Sequence, residues 1–260
     1  MSNYVSVPKA RHSNPRHSGR ERPVVPATGG REPGRLRRQT AIVFTVTDGR
    51  GAEDASASLG ASGVPYFSQW ESAELAERFV DGSLDLADDP RWAASGARTP
   101  GEYRYWARKV CGLACLKMIL ARRGLAVPPT MDLLERALAW QAYIPQGDRV
   151  AGLIYQPFAS WVADEYEITA EVAPHLPLEE IGAMASPDTP VIASVHSSIR
   201  WPDRDAPGRG GHLVLVTGAE GSLLRLHNPS GIPPAIQRDA LLPAEDFARF
   251  YAGRGLLIRN

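Results

Sequence analysis

The sequence predicts an α+β domain over residues 61–260, a helical part packed on an antiparallel sheet. Three observations predict it. Helical patterns with start and stop signals fill residues 72–164. Short apolar, β-branched runs follow at 168–172, 190–196, 212–217 and 223–228, the last two separated only by turn residues. The composition also changes near residue 60, because Pro8 to Arg38 is rich in Arg, Pro, Gly, Ser and His with hardly an apolar residue to bury.

Residues 1–60 are therefore expected to be a disordered, basic, Pro/Gly-rich tail and linker, since such a segment cannot offset its ordering entropy. Residues 41–47 could form a strand within it, and a chain starting near Ala61 is expected to keep its stability. The remainder has an ordinary globular composition, 43% hydrophobic and 22% charged. With 29 basic and 29 acidic residues the net charge is zero, so no general attraction to nucleic acid is expected. No apolar run approaches the ~20 residues a spanning helix needs, which makes a cytoplasmic location the default. The only two cysteines are Cys111 and Cys115. On one helix their Cβ atoms would stand ~5–6 Å apart, against ~3.5–4.5 Å in a disulfide. They read as free thiols, and a metal site would need distant histidines, so neither metal nor cofactor is expected.

The elements can be justified in order. Ser72 opens a short helix through Phe79 that ends near Gly82. Thr99-Pro100-Gly101-Glu102 has the form of a capping box with Pro at the first helical position, so a helix should run to about Arg108. Residues 111–123 have helical periodicity, basic residues in the last turn and Gly124 as a stop. Thr130 is expected to cap a helix through about Trp140, and further helices are expected at 153–164 and 178–185. Residues 190–196 read as a buried strand. In the hairpin, Gly218 to Ser222 serve as the turn. A register pairing Val216 with Leu224, Val214 with Leu226 and His212 with Asn228 joins the two apolar sets. It sets His212 directly opposite Asn228, with Cβ atoms ~4.5–5.5 Å apart.

These positions carry the candidate chemistry. Cys111 stands at a helix start, where unpaired N–H groups favour a thiolate, and Gly112 beside it allows close backbone approach. Cys115 lies one turn deeper and should be packed. Spacing alone favours a pair of core cysteines. His212 follows Gly210-Gly211 and faces an amide, which is the logic of a base held by an orienting group. His196 is the second choice of base. His227, His175, His12 and His17 are expected to be structural or solvated.

Taken together, Val64-Pro65-Tyr66-Phe67-Ser68-Gln69, Cys111-Gly112-Leu113-Ala114-Cys115-Leu116-Lys117-Met118-Ile119-Leu120, Gly211-His212-Leu213-Val214-Leu215-Val216-Thr217-Gly218 and Asn228-Pro229 resemble the bacteriocin-processing, double-glycine leader peptidases. These are papain-like cysteine peptidases that trim leader peptides. The likeness runs over residues 64–231 in order. It implies a papain-like fold, a peptide or protein substrate, Cys111 as nucleophile, His212 as base and Gln69 as oxyanion donor. Asn228 stands where that family usually has Asp, although the wider papain-like class uses Asn. The sequence departs in placing residues 70–110 between Gln69 and Cys111. This helical insertion, with Trp70, Trp92 and Trp106, is expected to shape the substrate site. Two other functions fit the same residues: a papain-like acyltransferase or transglutaminase-type enzyme, and an inactive peptide-binding domain.

Overall fold

The computed structural model describes residues 61–147, 149–150 and 152–259. The expected tail and its strand at 41–47 lie outside the described residues.

After a 3₁₀ turn at Ala73–Leu75, helix α1 (Ala76–Asp81) stops at Gly82, whose φ of 81° is left-handed. Helix α2 (Pro100–Ala107) starts with the Thr99 hydroxyl accepting the Glu102 N–H at 3.1 Å. The Glu102 carboxylate reaches back to the N–H of Arg98 rather than Thr99, so the box is one residue wider than the usual one. Helix α3 (Cys111–Arg122) is buried continuously from Gly112 to Leu120. Pro129, not Thr130, holds the cap position of α4 (Thr130–Ala139), because Thr130 turns its hydroxyl to Glu71 and Lys117 instead. A short ribbon of β1 (Pro145–Gln146) and β2 (Arg149–Val150) leads into α5 (Tyr155–Tyr166). Then come β3 (Thr169–Ala173), α6 (Leu178–Met184), β4 (Val191–Val195), β5 (His212–Glu220), β6 (Leu223–His227), β7 (Ala240–Pro243), α7 (Ala244–Phe250) and β8 (Tyr251–Arg259).

Six strands make one sheet in the order β3-β8-β4-β5-β6-β7, with antiparallel pairing throughout. Alternation along each strand divides the apolar residues between two cores. Ile192, Leu213, Leu215, Leu256 and Ile258 pack with α3, α4 and α5. Val191, Ala193, Val214, Val216, Leu226 and Leu257 pack with Ile181 of α6 and with Phe247 and Phe250 of α7. Both faces are thus covered by helices. Burying each large side chain contributes about 1.5–3 kcal/mol, and this holds α3 against the sheet. Strand β8, which the sequence reading left unassigned, inserts between β3 and β4. Gly255 makes that possible, because a Cβ there would lie 2.4 Å from the Ile192 carbonyl oxygen.

The hairpin register differs from expectation. The turn is only Gly221-Ser222, with Glu220 opposite Leu223. Carried along unchanged, that pairing would set Leu215 against Asn228 and send the Asn228 and His212 side chains to opposite faces. A bulge between Val216 and Gly218 takes up one residue and gives Val216↔Leu226 and Leu215↔His227, two residues off the expected pairing of Val216 with Leu224. His212 and Asn228 again share a face, with His212 aligned diagonally to Asn228 and nearer to Ser230.

Residues 70–110 build a third, small core of Trp70, Ala76, Phe79, Leu86, Tyr103 and Ala107, with Trp92 packed against it. Its polar staple is Asp89, which accepts from Ser72 Oγ and Tyr103 Oη, each at 2.6 Å. Trp70 and Trp92 therefore serve this segment's own packing first, and Trp106 leans on the core around α3. Among the described residues no helix is long and apolar enough to cross a membrane.

Candidate active site

A cavity of about 910 Å³ opens where α3 begins, and Gln69, Cys111 and His212 all line it. Each reaches it for a local reason. Cys111 is the first residue of α3, and Gly112 after it sits against Leu153, Tyr143 and Leu213. A Cβ at 112 would meet these at 2.8, 3.1 and 3.2 Å, so glycine lets the helix start pack closely on their side chains, which would have to move for any larger residue. His212 follows Gly210 and Gly211, with φ of 81° and 90°, and these two residues turn the chain into β5.

His212 Nε2 lies 2.8 Å from Asn228 Oδ1 and 3.0 Å from Ser230 Oγ. The same Oδ1 accepts the Ser230 N–H at 3.1 Å, which fixes the amide orientation. His212 therefore donates Nε2–H to Asn228 and keeps Nδ1 as its bare, basic nitrogen. Asn228 is held in turn by its N–H, which donates to the Gln237 carbonyl at 2.8 Å, and by its carbonyl, which accepts from Tyr66 Oη at 3.0 Å. Gln69 is tied to the same loop, its N–H donating to the Pro229 carbonyl at 2.8 Å. Its Nε2 donates to the Ala107 carbonyl at 2.9 Å, and Oε1 is buried without a partner among the described residues.

The protonation balance differs from the thiolate expected at a helix start. Burial pushes the Cys111 thiol up, although the N–H groups of Leu213, Gly112 and Cys111 itself, together with Arg200, pull it down. Burial, the Arg200 charge and His196 push His212 down to about 3, against the opposing hydrogen bond to Asn228. The resting pair is thus neutral thiol and neutral imidazole. Cys115 is fully buried one turn in, and burial raises its thiol further still.

Sequence reasoning missed Arg200 and Ser230. Arg200 Nε donates to the Ser230 carbonyl at 2.7 Å and Nη2 to Ser230 Oγ at 2.6 Å, so it braces the partner of His212. Ser230 carried a usable signal, two positions beyond Asn228 in a turn. Arg200, in a loop, carried none. His196 caps a 3₁₀ turn, its Nδ1 accepting the Ser198 N–H at 3.1 Å, and it does not line the cavity. His227 is neutral and structural, with Nε2 donating to the Val64 carbonyl at 2.9 Å and Nδ1 accepting from the Asp239 N–H at 2.9 Å. Among the described residues, no group of three or more His, Cys, Asp or Glu is arranged to hold a metal ion.

No protein-family model matches the sequence, and no curated protein matches it either. Among solved structures, the chain is similar to a double-glycine motif protease from an AMS/PCAT transporter in complex with the leader peptide. The identity is 18%, the match covers 58% of this chain and 84% of that one, and the TM-score is 0.39. That protease is of the group the sequence resembles.

Proposed function

We propose that this chain is a papain-like cysteine peptidase that cleaves a peptide bond through an acyl-enzyme on Cys111. One observation carries the reading. A histidine whose outer nitrogen is held by an amide, at 2.8 Å, shares a cavity with a cysteine at a helix start.

The chemistry follows from the neutral pair. As Cys111 Sγ attacks the scissile carbonyl carbon, its proton passes to His212 Nδ1, so no resting thiolate is required. Asn228 Oδ1 steadies the imidazolium that forms without adding a second charge. The carbonyl oxygen becomes an oxyanion. The Cys111 N–H and the second N–H of Gln69 Nε2, the one not given to Ala107, are its donors. Collapse breaks the C–N bond, and His212 returns the proton to the leaving amine. Water, deprotonated by His212, then attacks the thioester, releases the acid and restores the thiol. The sequence resemblance to leader-trimming enzymes makes leader-like peptides the first substrates to try.

The test is turnover of a quenched fluorescent peptide library, with mass spectrometry of the stalled enzyme. We expect cleavage by the wild-type chain and a thioester on Cys111. Cys111→Ala and His212→Ala should abolish turnover, and Asn228→Ala should lower it by about 10²-fold or more. Turnover that survives Cys111→Ala would refute the assignment.

A further inference from the structure

We infer that the cavity beside Cys111 recognises a carboxylate on the peptide it takes, an inference that rests on the peptidase reading and names its substrate class. The cavity is lined by Arg108, Lys109, Arg200 and Arg254 and by no Asp or Glu. The chain as a whole has no net charge. Elsewhere among the described residues eight arginines pair with acids, such as Arg91–Glu74, Arg122–Asp188 and Arg136–Glu165. Among the described residues none of the four cavity cations takes part in an ion pair.

Arg200, Lys109 and Arg254 have neutral partners, so their charges stay uncompensated. Arg200 is fixed by the carbonyl and hydroxyl of Ser230 and lies 6.0 Å over the Trp70 ring. Lys109 donates to the Tyr105 carbonyl and sits over its ring. Arg254 lines the cavity together with Tyr155, and its charge favours ionisation of the Tyr155 hydroxyl. Arg108 and Lys109 come from the end of α2, Arg200 from the turn after β4, and Arg254 from β8. Three separate parts of the chain thus bring like charges to one concave site. Gathering unpaired cations in a partly desolvated cleft costs stability. A bound anion recovers that cost, and guanidinium forks fit the planar carboxylate. The carboxylate comes either from an acidic side chain near the scissile bond or from a free C-terminus.

Alkylation of Cys111 by iodoacetate and by iodoacetamide tests this, because the reagents differ in charge and need the same thiolate. The ratio of their rates at Cys111, divided by that ratio for 2-mercaptoethanol, reports the anion preference alone. We expect roughly tenfold at low ionic strength, collapsing at high salt and falling several-fold in Arg254→Gln and in Arg108→Gln. A ratio equal to that of the small thiol would overturn the inference and leave the reactive thiol intact. If Cys111 resists both reagents, as a thiol kept neutral by burial can, the peptidase reading rests on the turnover test, and binding to Cys111→Ala decides the charge question. Fluorescence anisotropy would compare a Glu-containing peptide amide, its Gln isostere, and the Gln peptide with a free C-terminus. About tenfold tighter binding of either carboxylate peptide supports the inference and names the source. Equal affinity for all three overturns it.

Discussion

Acid should destabilise this protein through His212, and replacing that residue should remove the effect. His212 is 5% exposed, and its folded-state value is pushed down to about 3 from an ordinary 6.5. The sign follows directly. Below about 6.5 the unfolded chain takes up a proton at this position while the folded chain does not, so stability is whole above that pH and drains away as pH falls toward 3. Each pH unit costs about 1.4 kcal/mol, so at two units below the unfolded value the loss is roughly 2.7 kcal/mol. His212→Gln keeps a donor for Asn228 Oδ1 and cannot titrate. Urea unfolding midpoints of both proteins, taken near neutral pH and again near 4.5, give the comparison. Wild type should lose more stability than the variant by about that amount. His227, also held neutral by burial, loses stability in the same sense in both proteins and cancels. Parallel pH curves for the two would refute the reasoning, for they would mean that His212 is protonated as readily folded as unfolded.

Limited alkylation with peptide mapping should label Cys111 well before Cys115, because Cys111 lines the cavity while Cys115 is 0% exposed; preferential labelling of Cys115 would reverse the assignment. Gly231→Ala should cost about 2–3 kcal/mol and most of the turnover. Its Cβ would fall 1.8 Å from the Ile236 carbonyl oxygen and force open the loop that holds Asn228. Melting and activity measured together check this, and a wild-type Tm would count against it. Trp70→Ala should lower stability by about 3 kcal/mol or more, since Trp70 is 3% exposed and packs edge-on to Phe79 at 5.6 Å. Thermal melts check this, and an unchanged midpoint would leave Trp70 to the substrate site that residues 70–110 are expected to shape.

Much of the helical part was legible because helix signals are local. Thr99 with Pro100 marks a start, Gly82 and Gly124 mark ends, and the 3.6-residue period over 111–123 identifies a buried helix whatever it packs against. The candidate site was legible only in part, because local signals place its residues while the resemblance to leader peptidases singled them out. Cys111 is read from its place at a helix start, and His212 and Asn228 from the period-2 alternation of a hairpin.

What sequence alone determined about this protein is therefore most of its elements up to residue 228, though not β7, α7 or β8, and the facing of His212 toward Asn228. Tertiary structure decided how they meet. The two-residue turn and the bulge before Gly218 together set the register, and neither is encoded in strand alternation, which survives a shift of two residues unchanged. Strand β8 took its place between β3 and β4 because Gly255 lets the Ile192 carbonyl approach, a contact between residues distant in the chain. A neutral thiol replaced the thiolate expected at the helix start, since burial outweighs the pull of the nearby N–H groups. The cations around the cavity come from scattered segments of a chain with no net charge, so no window of sequence shows their sum. Local chemistry selects the elements, whereas register, burial and the field at a site are sums over residues that only folding brings together.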